Sequence, residues 1–491
     1  MTNTKDLFNR QIFKPLLNIG ALMDITTGSY FEGKYGEMIL SGGNATFVGV
    51  GGRANTFKSQ LAHYINFTAI ARYNPDMAIL YDTEGNITTE RLAKLAKNIE
   101  DFDVDKIFDE HDPVHLITDN SVYGDEFYEN LKVLNNERHA NRKKLTLETP
   151  FIDKDREYKK ALLPLPIEID SLSQFTASQV ATVLEKNQLG DSSTNTEALT
   201  DARLKSQIIS RLPTMCSKYG YYLTATAHVG NQHKLEKYAP STKELSFMPG
   251  NVKFKRASEN FTFLTNYTWY CHSLTVLSAS DKTSEYPHHE KGTFVGDADL
   301  IKIAVTPWRA KSGSSGIPFY LVFSQSEGLQ VSLTELNHLR ENKSFKVNKT
   351  NYPWGWGIIG SNVKDFKLEL LPDLKLTRTT VRKRIAESYQ LRRAFTITSE
   401  LHQIFSLWTM PDHYKCTPAE LRNDLIAQGY DWDILLESRG FWIFNNHSHP
   451  REFLSSMDLL RMRTGEYKPY WYDKALEGKK NTAKSNGKKS K

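Results

Sequence analysis

Gly51-Gly52-Arg53-Ala54-Asn55-Thr56-Phe57-Lys58-Ser59 has nearly the spacing of a phosphate-binding loop. That loop needs Gly, four residues, Gly, Lys, then Ser or Thr. Counted from Gly52, Lys58 and Ser59 fall on the required positions, and Phe57 occupies the second glycine. The chemistry follows from the residue types. Backbone N–H groups wrap phosphate oxygens, the ammonium neutralises them, and the hydroxyl ligates magnesium. Three further polar residues close apolar runs. Glu84 ends MAILYDTEGN (77–86) and is placed to polarise an attacking water. Asp170 closes LPLPIEID (163–170) and is suited to holding magnesium together with Ser59. Glu168, two residues earlier, is unusual inside a strand and is expected on the other side. His228 ends GYYLTATAH (220–228) and suits a γ-phosphate sensor.

These residues need elements to position them. Ala45–Val50 is a short apolar run suited to a central strand. After Ser59, Leu61, Ala62, Ile65 and Ala69 recur at helical spacing until Asn74-Pro75 stops the pattern. Thr88 or Thr89 caps the next helix, with Leu92, Leu95, Ala96 and Ile99 on one face. Leu204, Ile208, Leu212 and Met215 mark another helix before the His228 strand. Phe57 is tolerable where the helix begins if its side chain turns away from the phosphates. Ligands of open α/β sheets sit outside the carboxyl ends of the strands, and four successive strand tips here each offer one suitable group.

Taken together, TFKSQ (56–60), LYDTEGNIT (80–88), IEIDSL (167–172) and TATAHV (224–229) resemble the RecA-type ATPase family. Within it they are similar to the UvsX-type recombinases of tailed phages, as is the upstream NIGALMDITTG (18–28). The resemblance spans roughly residues 15–360. It implies an α/β, RecA-like P-loop ATPase core, with a mostly parallel central sheet and helices on both faces. It implies ATP and Mg²⁺ as cofactors, with residues 51–59 and Asp170 at the nucleotide and Ser59 and Asp170 at the metal. Lys58, Glu84 and His228 would be catalytic. The implied partners are single-stranded DNA, with duplex DNA as a further one, and further copies of the chain. A cytoplasmic setting in an infected bacterial cell goes with this reading.

The second of two DNA loops would lie in STKELSFMPGNVKFKRASEN (241–260). Lys253, Lys255 and Arg256 flank Phe254 there, and cations interleaved with a ring suit single-strand binding. Family members also complete the ATP site with cations from the neighbouring subunit. The matching strand, LIKIAVTPWRAKSGSSG (300–316), offers Arg309, but Pro307 stands where a lysine is expected, and Lys311 is the substitute. Arg309 and Lys311 at this spacing also resemble the finger of ring-forming replicative helicases. A helicase motor therefore stands as the alternative to a filament-forming recombinase. Recombinases of the family carry an N-terminal arm, whereas only a short segment (1–14) precedes the core here; DLFNRQIF (6–13) is its short amphipathic counterpart.

Composition bounds the rest. The 491 residues exceed one compact core, and 39% hydrophobic with 24% charged residues describe an ordinary folded chain. No run approaches the ~18 apolar residues of a membrane span, and the N-terminus lacks a secretory pattern. Cys216, Cys271 and Cys416 are too scattered for a disulfide framework. Residues 471–491 carry seven lysines against Asp473 and Glu477, a surplus of five in a net charge of +6. The body is therefore nearly neutral, and the tail's composition predicts disorder. Segments 134–144 and 151–160 read as a solvated, charged insertion within 100–160. Residues 361–470 read as a basic connector and a small α+β C-terminal domain. Arg382, Lys383 and Arg384 form a charge run there. Thr417, Pro418 and Glu420 announce a capped helix that Gly429 ends, a second helix spans 431–438, and FWIF (441–444) reads as a strand, the order of a winged helix. His288-His289 and His447/His449 lack partners at metal-ligand spacing and read as solvated loop histidines.

Overall fold

The first helix among the described residues, α1 (Ala21–Thr27), is buried along its whole length and precedes the fully buried strand β1 (Phe47–Gly52). The structure, a computed structural model, describes residues 12–85, 87–100, 115–119, 123–186, 197–231, 252–257, 260–288, 294–342 and 378–489. After β1 come α2 (Lys58–Tyr73), β2 (Met77–Asp82), α3 (Thr89–Ala96), β3 (His115–Asp119) and α4 (Gly124–Ala140). There follow β4 (Leu165–Asp170), α5 (Glu197–Tyr219), β5 (Tyr221–Asn231) and β6 (Val252–Phe254). The antiparallel run β7 (Tyr267–Val276), β8 (Leu300–Ala310), β9 (Phe319–Ser324) and β10 (Gly328–Leu329) leads into α6 (Val331–Asn342).

These strands form one ten-stranded sheet in the order β10-β9-β8-β7-β1-β5-β4-β2-β3, with β6 paired to the end of β5. The six strands from β7 to β3 are mutually parallel. Side chains alternate between two faces because the strand period is two. Val48, Val50, Ala78 and Leu80 pack with Leu61 and Ile65 of α2 and Leu92 of α3. Phe47, Ile79, Ile167 and Ile169 pack on the other face with Leu131 of α4 and Ile208 and Leu212 of α5. Thr88 caps α3 by accepting the Arg91 N–H. The result is a mixed α/β fold with a mostly parallel sheet covered on both faces. No helix among the described residues is long and apolar enough to cross a membrane.

The C-terminal part is helical, which corrects the expected α+β module. It comprises α7 (Arg378–Glu387), α8 (Tyr389–Leu407), α9 (Pro418–Ala427), α10 (Trp432–Glu437), α11 (Ser456–Arg463) and α12 (Tyr472–Lys489). α9 has the anticipated capping box between Thr417 and Glu420, and Gly429 follows it at φ 93°. Residues 441–444 are not a strand, and no strand occurs among the described residues from 378 onward. The apolar side chains there serve another purpose. Trp442 is buried against Phe151 and Tyr73, and Gly440 passes so close to the Glu452 backbone that a Cβ would clash. α8 packs on α1 and α6 and shares their hydrophobic core.

Two other expectations change. The tail from residue 471 is helical through Lys489 rather than disordered. Trp471 and Tyr472 are buried, and Lys479 bonds Asp431, so the apolar start of the helix anchors its lysine-rich remainder. Segments 134–144 and 151–160 are only partly solvated. Phe127, Leu131 and Arg138 of α4 are buried, and the hairpin of Thr146–Ile152 with Tyr158–Leu162 buries Phe151.

Candidate nucleotide site

β1 delivers Gly51 and Gly52 to a turn with no room for side chains. A Cβ on Gly52 would sit 2.1 Å from Thr56 Oγ1, and one on Gly51 would lie 2.4 Å from the Phe254 ring. Thr56 donates its hydroxyl to the Arg53 carbonyl at 2.8 Å, and Arg53 donates to Asn231 Oδ1 at 2.9 Å. Ala54 and Asn55 are exposed on the turn, Asn55 at φ 60°. Phe57 adopts φ 58°, ψ 19°, the left-handed conformation natural to the glycine it replaces. Its ring turns onto Phe323, with centroids 5.2 Å apart. The side chain thus packs between the helix start and β9.

Lys58 is the first residue of α2 and is only 7% exposed. It makes no ion pair or hydrogen bond with a described residue. A lysine with a buried stem, whose ammonium pairs with no described residue, suits an anion beside the free N–H groups of a helix N-terminus. Ser59, half-buried, follows it.

Neighbouring strand tips face this turn. In the sheet Gly52 is level with His228, and Asp82 with Asp170. Asp170 is buried and accepts a hydrogen bond from the Thr226 hydroxyl. Asp82 shapes the loop after β2, its carboxylate accepting the N–H groups of Glu84 (3.1 Å), Gly85 (2.9 Å) and Ile87 (2.9 Å). Glu84 Oε1 accepts from Ser171 Oγ at 3.0 Å and lies 3.2 Å from His228 Nε2. Thr83 locks the two loops together, donating to the Ser171 carbonyl and accepting the Ser171 N–H. One carboxylate is thereby fixed and still partly open to solvent. The hydroxyl of Ser59, the carboxylate of Asp170 and the ammonium of Lys58 form a donor set that fits a magnesium-bound triphosphate.

β6 is zipped to the His228 strand. Lys255 N–H donates to the His228 carbonyl at 2.7 Å, and Ser173 Oγ joins the His228 N–H to the Lys255 carbonyl. Lys253, Lys255 and Arg256 are exposed. Phe254 is not presented to a ligand as expected. Its ring packs edge-on against Phe261 at 5.1 Å and Trp308 at 5.6 Å, because the glycine at 51 leaves a hollow for it. Of the expected DNA loop at 241–260, residues 241–251, 258 and 259 lie outside the described residues.

Arg309 and Lys311 are not brought to this site. β8 runs antiparallel to β7, so Ala310 pairs with Tyr267, which is level with Val48 at the start of β1. They sit at the amino edge of the parallel strands, away from their own chain's Lys58. Burial, and then the charge of Arg309, hold the Lys311 amine below its usual range. Arg382 is likewise no open cation. It is buried and bonds Glu327 at 2.7 Å and the Tyr286 carbonyl at 2.8 Å. His288 joins this cluster, 3.2 Å from Glu327, and His447 stacks on Tyr158.

Sequence reading missed Asp82, Thr83, Ser171, Ser173 and Thr226, which hold the named side chains in place. Asp82 alone left a local signal, since Asp-Thr-Glu-Gly is a turn in which an aspartate accepts backbone N–H groups.

No family model matches the chain, and no curated protein matches it. Among solved structures it is similar to the crystal structure of the RadB recombinase at 13% identity, covering 59% of this chain and 92% of that one, with a TM-score of 0.30. So loose a likeness carries no argument about fold or function.

Proposed function

We propose that the chain is a RecA-type Mg²⁺-ATPase that works on single-stranded DNA in homologous recombination, in the manner of the UvsX-type phage enzymes. One observation supports the reading: the sheet register sets Gly52, just before Lys58/Ser59, level with His228 and Asp82, just before Glu84, level with Asp170, at the carboxyl side of adjacent parallel strands, and Glu84 reaches His228. Lys58 and the N-terminus of α2 hold the phosphates, and Ser59 and Asp170 hold the magnesium, which supplies charge neutralisation when bound. Glu84 orients the attacking water and takes its proton. Ser171 and His228 fix the Glu84 carboxylate. His228 reports on the site to β6 through the hydrogen bonds it shares with Lys255 and Ser173. Arg309 and Lys311, at the opposite edge, act on a neighbouring copy's nucleotide, so assembly completes the site.

Two substitutions test this. Lys58→Ala is expected to abolish ATP binding and hydrolysis. Glu84→Gln is expected to retain binding while hydrolysis falls about 10²–10⁴-fold. Hydrolysis that survives Lys58→Ala would end the nucleotide assignment. Single-stranded DNA should stimulate the wild type, and electron microscopy with DNA and a non-hydrolysable analogue should show helical filaments. Closed rings would favour the helicase alternative.

A further inference from the structure

Glu168 is 1% exposed in the interior of β4, where a carboxylate is costly. It does not face away from the site's helix, as its sequence position suggested. It meets α2: Glu168 Oε1 lies 2.6 Å from His63 Nδ1, itself 4% exposed, and Asn66 Nδ2 donates to Glu168 Oε2 at 3.2 Å. Asn66 is 1% exposed.

The spacing gives this contact its meaning. Ser59, His63 and Asn66 stand at i, i+4 and i+7, one face of α2. Glu168 and Asp170 stand at i and i+2, one face of β4. Four helical residues rise about 6 Å and two strand residues about 6.6 Å. The two rows therefore run in step: Ser59 toward Asp170 in one layer, His63 and Asn66 onto Glu168 in the layer beneath. The Asn66 hydrogen bond to Glu168 is directional and the His63–Glu168 contact is close and buried, whereas aliphatic contacts let a helix slide or roll.

We propose that His63, Asn66 and Glu168 are a positioning clamp that sets the separation of Ser59 from Asp170 and hence the affinity of the site for magnesium. The clamp rests on the nucleotide reading above. It explains why a buried polar cluster is retained where apolar packing would hold the helix down as well.

The test uses the full chain and binding of a fluorescent ATP analogue during magnesium titration, with thermal melting as the check on folding. Replacing a buried pair with apolar residues of similar size is often neutral for stability. His63→Phe combined with Glu168→Leu should fold, melting somewhat below the wild type because buried Asn66 loses its acceptor, and bind nucleotide equally in chelator. Its magnesium midpoint should rise about tenfold, as for lost support of a metal ligand. The conservative Glu168→Gln keeps the shape; its amide oxygen can accept from Asn66 and its NH2 can donate to a neutral His63 Nδ1, so both contacts persist without the charge, and the midpoint should stay within about twofold of the wild type. A folded double variant with a wild-type midpoint overturns the clamp. So does a Glu168→Gln midpoint about tenfold above the wild type's, which would mean that charge acts through space; this arm is read against the wild type and decides the matter even if the double variant does not fold. Unchanged nucleotide affinity in Lys58→Ala removes the site itself, a failure distinguishable from that of the clamp.

Discussion

At the scale of single residues, Phe57 shows how a motif survives the loss of a glycine. Its left-handed backbone costs roughly 1–2 kcal/mol in a residue with a Cβ. Its ring recovers this by packing on Phe323. Phe57→Gly relieves the strain and loses the ring, whereas Phe57→Ala loses the ring and keeps the strain. The glycine variant should therefore be the more stable of the two by about 1 kcal/mol in chemical denaturation. Equal stabilities, or a more stable alanine variant, would show that φ 58° is not maintained in solution. Phe57 was readable as a variant glycine position from Lys58 and Ser59 alone. Its partner, 266 residues further on, was not.

At the scale of elements, β6 separates two roles that the sequence presented as one. Val252–Phe254 pairs with Val229–Asn231, which turns Phe254 inward and leaves the cations outside. Lys253→Ala with Lys255→Ala should weaken single-stranded DNA binding and lower the slope of log affinity against log salt by about 1.4, two phosphates' worth. Phe254→Ala should lower stability with no change in that slope. A salt slope moved by Phe254→Ala and untouched by the lysine pair would invert the assignment. The strands, α2 and α9 were legible because their signals lie within a few residues of one another: the apolar run, the glycine turn, the Thr-Pro-x-Glu cap. The absent wing strand was not legible, since an apolar run such as FWIF satisfies a strand or a plug equally well until the surface it covers is known.

At the scale of the molecule, the C-terminal helices are built onto the core through α1 and α6 rather than attached as a separate module. The α6–α8 contact carries two groups of opposite pH response. Burial, reinforced by the Glu400 carboxylate, pushes the Glu335 carboxyl up to about 8, while Thr396 donates a hydrogen bond to it. Its folded-state pKa lies above its ordinary 4.5, so its contribution is full below that value and is lost as the pH rises through about 8. His338 pairs with His402 at 2.8 Å, and burial followed by that neighbour takes it down to about 3. Its contribution is present above its ordinary 6.5 and is lost as the pH falls toward about 3. Glu335→Gln should therefore stabilise the protein increasingly between about pH 4.5 and 8, the range bracketed by the ordinary and folded-state values of Glu335. Thermal melts displaced equally at both ends would show that Glu335 keeps an ordinary pKa.

The sequence by itself determined the first strands and helices of the sheet, the turn after β1 and the placing of Lys58, Glu84 and Asp170 at or just past strand ends; His228, expected to end its strand, is level with the end of β1 while β5 runs on to Asn231. Each depends on periodicity and turn chemistry over a few neighbouring residues. Tertiary structure decided what each side chain meets. Phe254 is drawn inward by Trp308, Arg382 is consumed by Glu327, Glu168 is taken by His63, and the lysine-rich tail is held as a helix by the burial of Trp471 and Tyr472. Arg309 and Lys311 are sent to the far edge by the antiparallel turn of β8. Their neighbours lie tens to hundreds of residues away in the chain, and only the packed sheet brings the two together. A charge or ring in a sequence is the same symbol whether it ends in solvent or against a partner; burial by distant chain settles which.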